Sequence, residues 1–134
     1  MSLPLFPTTD AERKAIPIWT YITKYVPRAL IAATRVSVKG NIQHNPERSP
    51  TDIVWARGKS MDQLNTAARH LMDHSNGTIY DTDGELHLAK AYWRIGAELE
   101  LLCERLEAEK AKKQKRPSDA ELLHGGETYA DGEP

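Results

Sequence analysis

The sequence predicts an all-α fold. Two observations carry this: three stretches repeat apolar residues at three- and four-residue intervals, and the last two are joined by a DTDG link short enough to force antiparallel neighbours. A third bears on size. Of 134 residues, the last twenty-five or so almost lack aromatic and β-branched side chains, leaving roughly a hundred for the core. A core that small is commonly supplemented by oligomerisation.

The elements follow in order. Ile16 to Ile22 is rich in β-branched and aromatic residues but contains Pro17, so a short helix or an extended arm is expected. Pro27 to Lys39 has Leu30, Ile31, Thr34 and Val38 on one stripe, with Pro27 in the first turn and Gly40 as the expected stop. Gly40 to Lys59 is dense in Asn, Pro, Ser and Gly and reads as a loop of about twenty residues, a length that in compact domains is often functional. Ser60 is the expected N-cap of a second helix ending near Gly77, with Leu64, Ala67, Ala68 and Leu71 on one face. After DTDG, Glu85 to Glu107 forms the third and longest helix, with Asp83 as its cap and Leu88, Tyr92, Ile95, Leu99, Leu102 and Leu106 facing the preceding stripe. Residues 1–109 are expected to form the domain and 110–134 a polar, mobile tail.

Composition excludes several classes. Hydrophobic residues at 40% and charged residues at 28% describe an ordinary soluble domain, and a formal net charge of −1 does not advertise a nucleic-acid partner. Cys103 is the single cysteine, so an internal disulfide and a thiolate zinc site are both excluded. No apolar run reaches a membrane span and the N-terminus lacks a secretory h-region, which points to the cytoplasm. Walker, dinucleotide and nucleophile-elbow motifs are missing.

Local charge is more informative. From Lys24 to His70 there are eight basic residues against three acidic ones; then Asp73, His74, Asp81, Asp83, Glu85 and His87 follow closely. A basic surface beside carboxylates and imidazoles suits a polyphosphate with divalent cations, although a solvated charged face has the same composition. His70 and His74, four apart on a helix, project from one face, a spacing used for two ligands to one metal, or by a surface pair with no ligand. His87 can face them across the hairpin. Lys39, Asn41, His44 and Asn45 offer donors and acceptors for a purine edge or phosphates, and Trp55 offers a stacking face or a cover for the core. Arg69 and Arg94 each adjoin an apolar stripe, where a phosphate contact and a surface role are both open.

The runs LIAATRVSVKGNIQHNP, WARGKSMDQLNTAARHLMDH and DTDGELHLAKAYWRIGAELELL resemble the phage-encoded dATP/dGTP diphosphohydrolases, a divergent branch of the all-α MazG-like nucleotide pyrophosphohydrolases. The resemblance covers about residues 25–105 and is most specific in the RHL of Arg69 to Leu71, the DxDGxxH of Asp81 to His87 and the KGNxxHNP that begins at Lys39. It is similar in particular to the MazZ type, from phages that replace adenine with 2-aminoadenine. It implies an oligomeric MazG-like helical bundle, a dimer or tetramer, that hydrolyses dGTP or GTP to the monophosphate and pyrophosphate with Mn2+ or Mg2+, supplying dGMP for the modified base. No nucleic-acid or membrane partner is expected. The typical EExxE and ExxD acids are replaced here: His70, Leu71 and His74 fall on the glutamate positions, and His87 and Lys90 on the ExxD positions. The resemblance therefore implies either a ligand set of His70, His74, Asp81, Asp83 and His87, with Asp73 beside it, or a shifted site; imidazoles favour a transition metal such as Mn2+ over Mg2+. Asp73 or Asp83 would orient or deprotonate the attacking water, and Arg35, Lys39, Asn41, His44, Asn45, Trp55 and Arg69 would hold the substrate. The competing class is a non-enzymatic helical phage protein whose basic half binds nucleic acid.

Overall fold

The computed structural model describes residues 3–115, and among them five helices form: α1 (Asp10–Lys14), α2 (Ile18–Tyr25), α3 (Pro27–His44), α4 (Gln63–Ser75) and α5 (His87–Lys115). No strand forms among the described residues beyond an isolated antiparallel bridge between Tyr80 and Leu86. The all-α expectation holds, and no described helix is long and apolar enough to cross a membrane. The chain divides into two compact units, residues 1–100 and 101–134. Of the second, the described part is residues 101–115, entirely helical, with Leu102 and Leu106 exposed.

The start of α1 is fixed by a capping box, with Thr9 accepting from the Glu12 amide and the Glu12 carboxylate accepting from Thr9. The 16–22 segment resolves as a helix because Pro17 precedes its first turn, where no amide is required. Gly40 does not stop α3, which continues to His44. The stop is Pro46: it disfavours helical geometry at Asn45, whose φ of −135° and ψ of 62° lie outside the α region. Asn41 and His44 therefore stand on helical turns rather than in a loop, and the loop shrinks to residues 45–62.

Ser60 is not the N-cap of α4, which begins at Gln63 after an Asp62 that makes no side-chain cap. The Ser60 hydroxyl instead accepts from Arg94 at 3.4 Å, and its carbonyl accepts from the Gln63 side-chain Nε2. The C-terminus of α4 matches the sequence signal: Gly77 takes a φ of +92°, its amide bonds to the His74 carbonyl, and that of Thr78 to Asp73, a Schellman arrangement. Asp81 to Gly84 then makes a tight turn closed by the Gly84 amide on the Asp81 carbonyl, with Gly84 at a φ of +83°. The Asp81 amide bonds to the Glu85 carbonyl and the His87 amide to that of Ile79, which sets the start of α5 at His87. Asp83 is thus a turn residue, not the helix cap.

The helices α4 and α5 run antiparallel, since His70 meets His87 and Gln63 meets Arg94. They do not meet through their apolar stripes, as the sequence suggests: Leu64, Leu71, Leu88, Tyr92, Ile95 and Leu99 are all exposed, and the buried apolar residues are Ala33, Ala67, Ala89, Ala91 and Ala97. Polar side chains bridge the two helices, and the larger hydrophobes stay exposed. Nor does α5 fray at Lys110; it continues to Lys115, and the rest of the expected tail lies outside the described residues.

Candidate active site

A cleft of about 630 Å³ lies among α3, the 45–62 loop, α4, the 81–85 turn and the first two turns of α5. His70 and Asp81 line it, and with His87 buried beside them they bring three ligating atoms together, one from each residue, all within 4.8 Å of one another. The His70 and His87 Nδ1 atoms are 2.9 Å apart. Three elements supply this trio. His70 comes from the second turn of α4, Asp81 from the turn and buried His87 from the first position of α5, and the Schellman cap followed by the Tyr80–Leu86 bridge returns the chain at the required distance. Burial, then the neighbouring His87 and Lys90, lower the pKa of His70 and favour the neutral imidazole that a metal needs. Two imidazoles and a carboxylate fit Mn2+ or another transition ion better than an all-oxygen Mg2+ cage.

Around the trio lies a lattice of alternating charge. Lys90 donates to Asp81 at 2.6 Å and to Asp83 at 2.8 Å, with only 19% of its side chain exposed. Lys90 holds the Asp81 carboxyl down to about 2, with the Thr82 amide helping, and it also lowers Asp83. Burial opposes the charge on Lys90, but the two carboxylates together raise its pKa. Buried Glu85 accepts a two-pronged contact from Arg35 at 3.0 and 3.2 Å and a third bond from Lys39 at 3.4 Å, and Arg35 is the main reason its pKa is lowered. Lys39 also donates to the Asp83 carbonyl, which ties α3 to the turn.

The other expected site residues divide clearly. His44, at the end of α3, and Trp55 line the cleft; the Trp55 ring meets Trp93 edge-on at 6.0 Å, and Trp93 is anchored by its indole N–H on Ser37. Asn41 and Asn45 also line it, but Asn41 is buried and its amide donates to the Ser49 and Pro50 carbonyls while accepting from Asn45. Asn41 therefore pins the loop to α3 instead of presenting its amide to a base. Arg35 lies beyond Glu85 in a neighbouring groove. Arg69 turns away to Thr66 at 2.9 Å and Asp62 at 3.6 Å, because its helical position points outward. His74 is one turn beyond His70, outside the convergent trio, and its buried Nδ1 has no hydrogen-bond partner. Asp73 stands 3.8 Å from His87 and is not among the residues lining the cleft.

Sequence reasoning did not single out the bonds that Lys90, Glu85 and Gln63 make at the cleft, and of Arg69 and Arg94, for both of which it left a phosphate contact open, only Arg94 lines it. Arg94 lines the cleft and donates to the Oε1 of the buried Gln63 side chain at 3.0 Å; burial lowers its pKa. A signal for Lys90 was present: on α5 it follows His87 by three residues, hence on the same face.

The sequence matches the N-terminal domain of the dATP/dGTP diphosphohydrolases over residues 8–123. The chain belongs to that family. It is a nucleotide pyrophosphohydrolase, which settles the choice between an enzyme and a non-enzymatic nucleic-acid binder. No curated protein and no solved structure matches it. In this diphosphohydrolase the cleft, with its acid–imidazole floor and its basic rim of Lys39, Lys59, Lys90 and Arg94, is the candidate active site.

Proposed function

We propose that the chain hydrolyses dGTP or GTP to the monophosphate and pyrophosphate with one or more divalent ions, Mn2+ or Mg2+, bound at the cleft floor. The observation that carries this is the convergence of His70, Asp81 and buried His87 at the wall of a cleft that also gathers Lys39, Lys90 and Arg94. The bound ion would polarise a phosphoryl oxygen and lower the pKa of the attacking water. The chain's residues do the rest. Lys39 and Arg94 neutralise the phosphates, and the half-buried Trp55 and exposed His44 contact the base. Asp83 accepts a proton contact from the attacking water and orients it. Its carboxylate, already bonded by Lys90 and the Glu85 amide, is too weak a base to take the proton itself.

On this reading residues 1–109 are the catalytic domain, working in the cytoplasm of a phage-infected cell and supplying dGMP for 2-aminoadenine synthesis, as in the MazZ type. The protein is proposed to assemble as a dimer or tetramer, because Trp19, Ile31 and Ile42 remain exposed along an apolar groove of about 680 Å³ beside the site. The test is pyrophosphate release from dGTP, GTP and dATP, with Mn2+, Mg2+ or chelator. Mn2+-dependent release, fastest with dGTP or GTP, is expected; release that persists in chelator would remove the metal, and a preference for dATP would remove the guanine assignment.

A further inference from the structure

We propose that the Lys90 ammonium is a built-in second cation of this site: it occupies the face shared by Asp81 and Asp83, so that each chain takes up a single divalent ion, at His70, Asp81 and His87. The inference rests on the metal reading above and adds a stoichiometry and a residue responsible for it.

The geometry is specific. The ammonium lies 2.6 Å from an Asp81 oxygen and 2.8 Å from an Asp83 oxygen, at and just past the upper end of the roughly 2.0–2.6 Å at which hard divalent ions hold carboxylates. Its side chain is mostly buried, coming from a helix position one turn beyond His87, so it is held in place from α5. The same Asp83 is fixed from behind by the Glu85 amide on its other oxygen, and its carbonyl receives Lys39. Two carboxylates so placed would otherwise repel each other and attract a cation of their own. Lys90 meets that demand with one charge instead of two. It also leaves Asp81 able to serve the His70–His87 pair, because its ammonium engages Oδ2, while Oδ1 accepts from the Thr82 amide at 2.7 Å and each carboxylate oxygen carries more than one lone pair.

Mn2+ binding to the full-length protein, followed by the electron paramagnetic resonance of free Mn2+ at micromolar concentrations, tests this without reference to turnover. The wild type is expected to bind one Mn2+ per chain, and His70→Ala to lose it. Lys90→Met, which removes the charge, is expected to bind two, the second at least about tenfold more tightly than any further ion on the wild type. Lys90→Arg, which keeps the charge, is expected to stay at one. Should Lys90→Met fail to fold, Lys90→Gln makes the same comparison. Two ions on the wild type, or one on a folded Lys90→Met or Lys90→Gln variant, overturns the proposal while leaving the metal centre standing. No ion on the wild type overturns the metal centre itself, and this proposal with it.

Discussion

Two cavities of similar size adjoin in the first unit, and they are stabilised in opposite ways. The cleft of about 630 Å³ is lined by charged and polar groups that nearly all have partners: Lys90 on two aspartates, Glu85 under Arg35 and Lys39, Arg94 on Gln63. The groove of about 680 Å³ between α2 and α3 is lined mainly by Trp19, Ile22, Leu30, Ile31, Val38 and Ile42, and there Trp19 is 75% and Ile31 63% exposed. They share Lys39 and Glu85 as a common wall. Directional hydrogen bonds complete the first cavity within one chain, since each donor needs only a particular acceptor. Apolar surface contributes only once it is removed from water, and a single chain leaves this stripe uncovered.

The sharpest way to break this comparison is to disable the cleft alone. His70→Ala is expected to lower pyrophosphate release from dGTP by about a thousandfold, and Asp83→Asn by about a hundredfold, through lost transition-state charge stabilisation and lost water orientation. Thermal unfolding of the metal-free proteins should shift by a few degrees at most. If His70 were instead only a packing residue, its loss would cost about 1 to 3 kcal/mol of stability, and activity would fall only with the folded fraction.

The groove should respond to the reverse treatment. Ile31→Asp introduces a charge on the uncovered stripe and is expected to turn the assembled protein into monomers, as read by light scattering after size exclusion. A wild type already monomeric at working concentration would end the argument that a second copy covers this face.

A finer cut separates scaffold from contact within the cleft wall. Asn41→Ala is expected to cost about 1 to 3 kcal/mol of stability by leaving the Ser49 and Pro50 carbonyls without their donor. Hydrolysis should then show a raised KM at nearly unchanged kcat, because the loop carrying Trp55 is loosened. A reduced kcat with intact stability would return Asn41 to direct contact with substrate.

Local chemistry made much of this legible without coordinates. Pro27 at the start of α3, Gly77 after α4 and Gly84 in the DTDG turn act within a few residues of backbone, so their consequences follow from the sequence. The pairing of His70 with His87 was legible as well, because a short turn between two helices leaves few ways to place them. One boundary was not. Gly40 lies inside a helix because Pro46, not Gly40, ends it, and helix breakers compete on small energy differences.

The sequence by itself determined the helical class, the turn that joins α4 to α5, and the gathering of imidazoles and carboxylates near it, since all of these depend on neighbours in the chain. Only the tertiary structure decided which cations line the cleft. Lys90 and Arg94 enter the cleft while Arg69 turns to Asp62 and Arg35 to Glu85. It also decided that alanines, not the leucine stripes, are the buried apolar residues. The physical reason is the reach of long side chains: a lysine or arginine can find a carboxylate in several directions, and which one it finds depends on residues up to fifty positions away, as with Arg35 and Glu85.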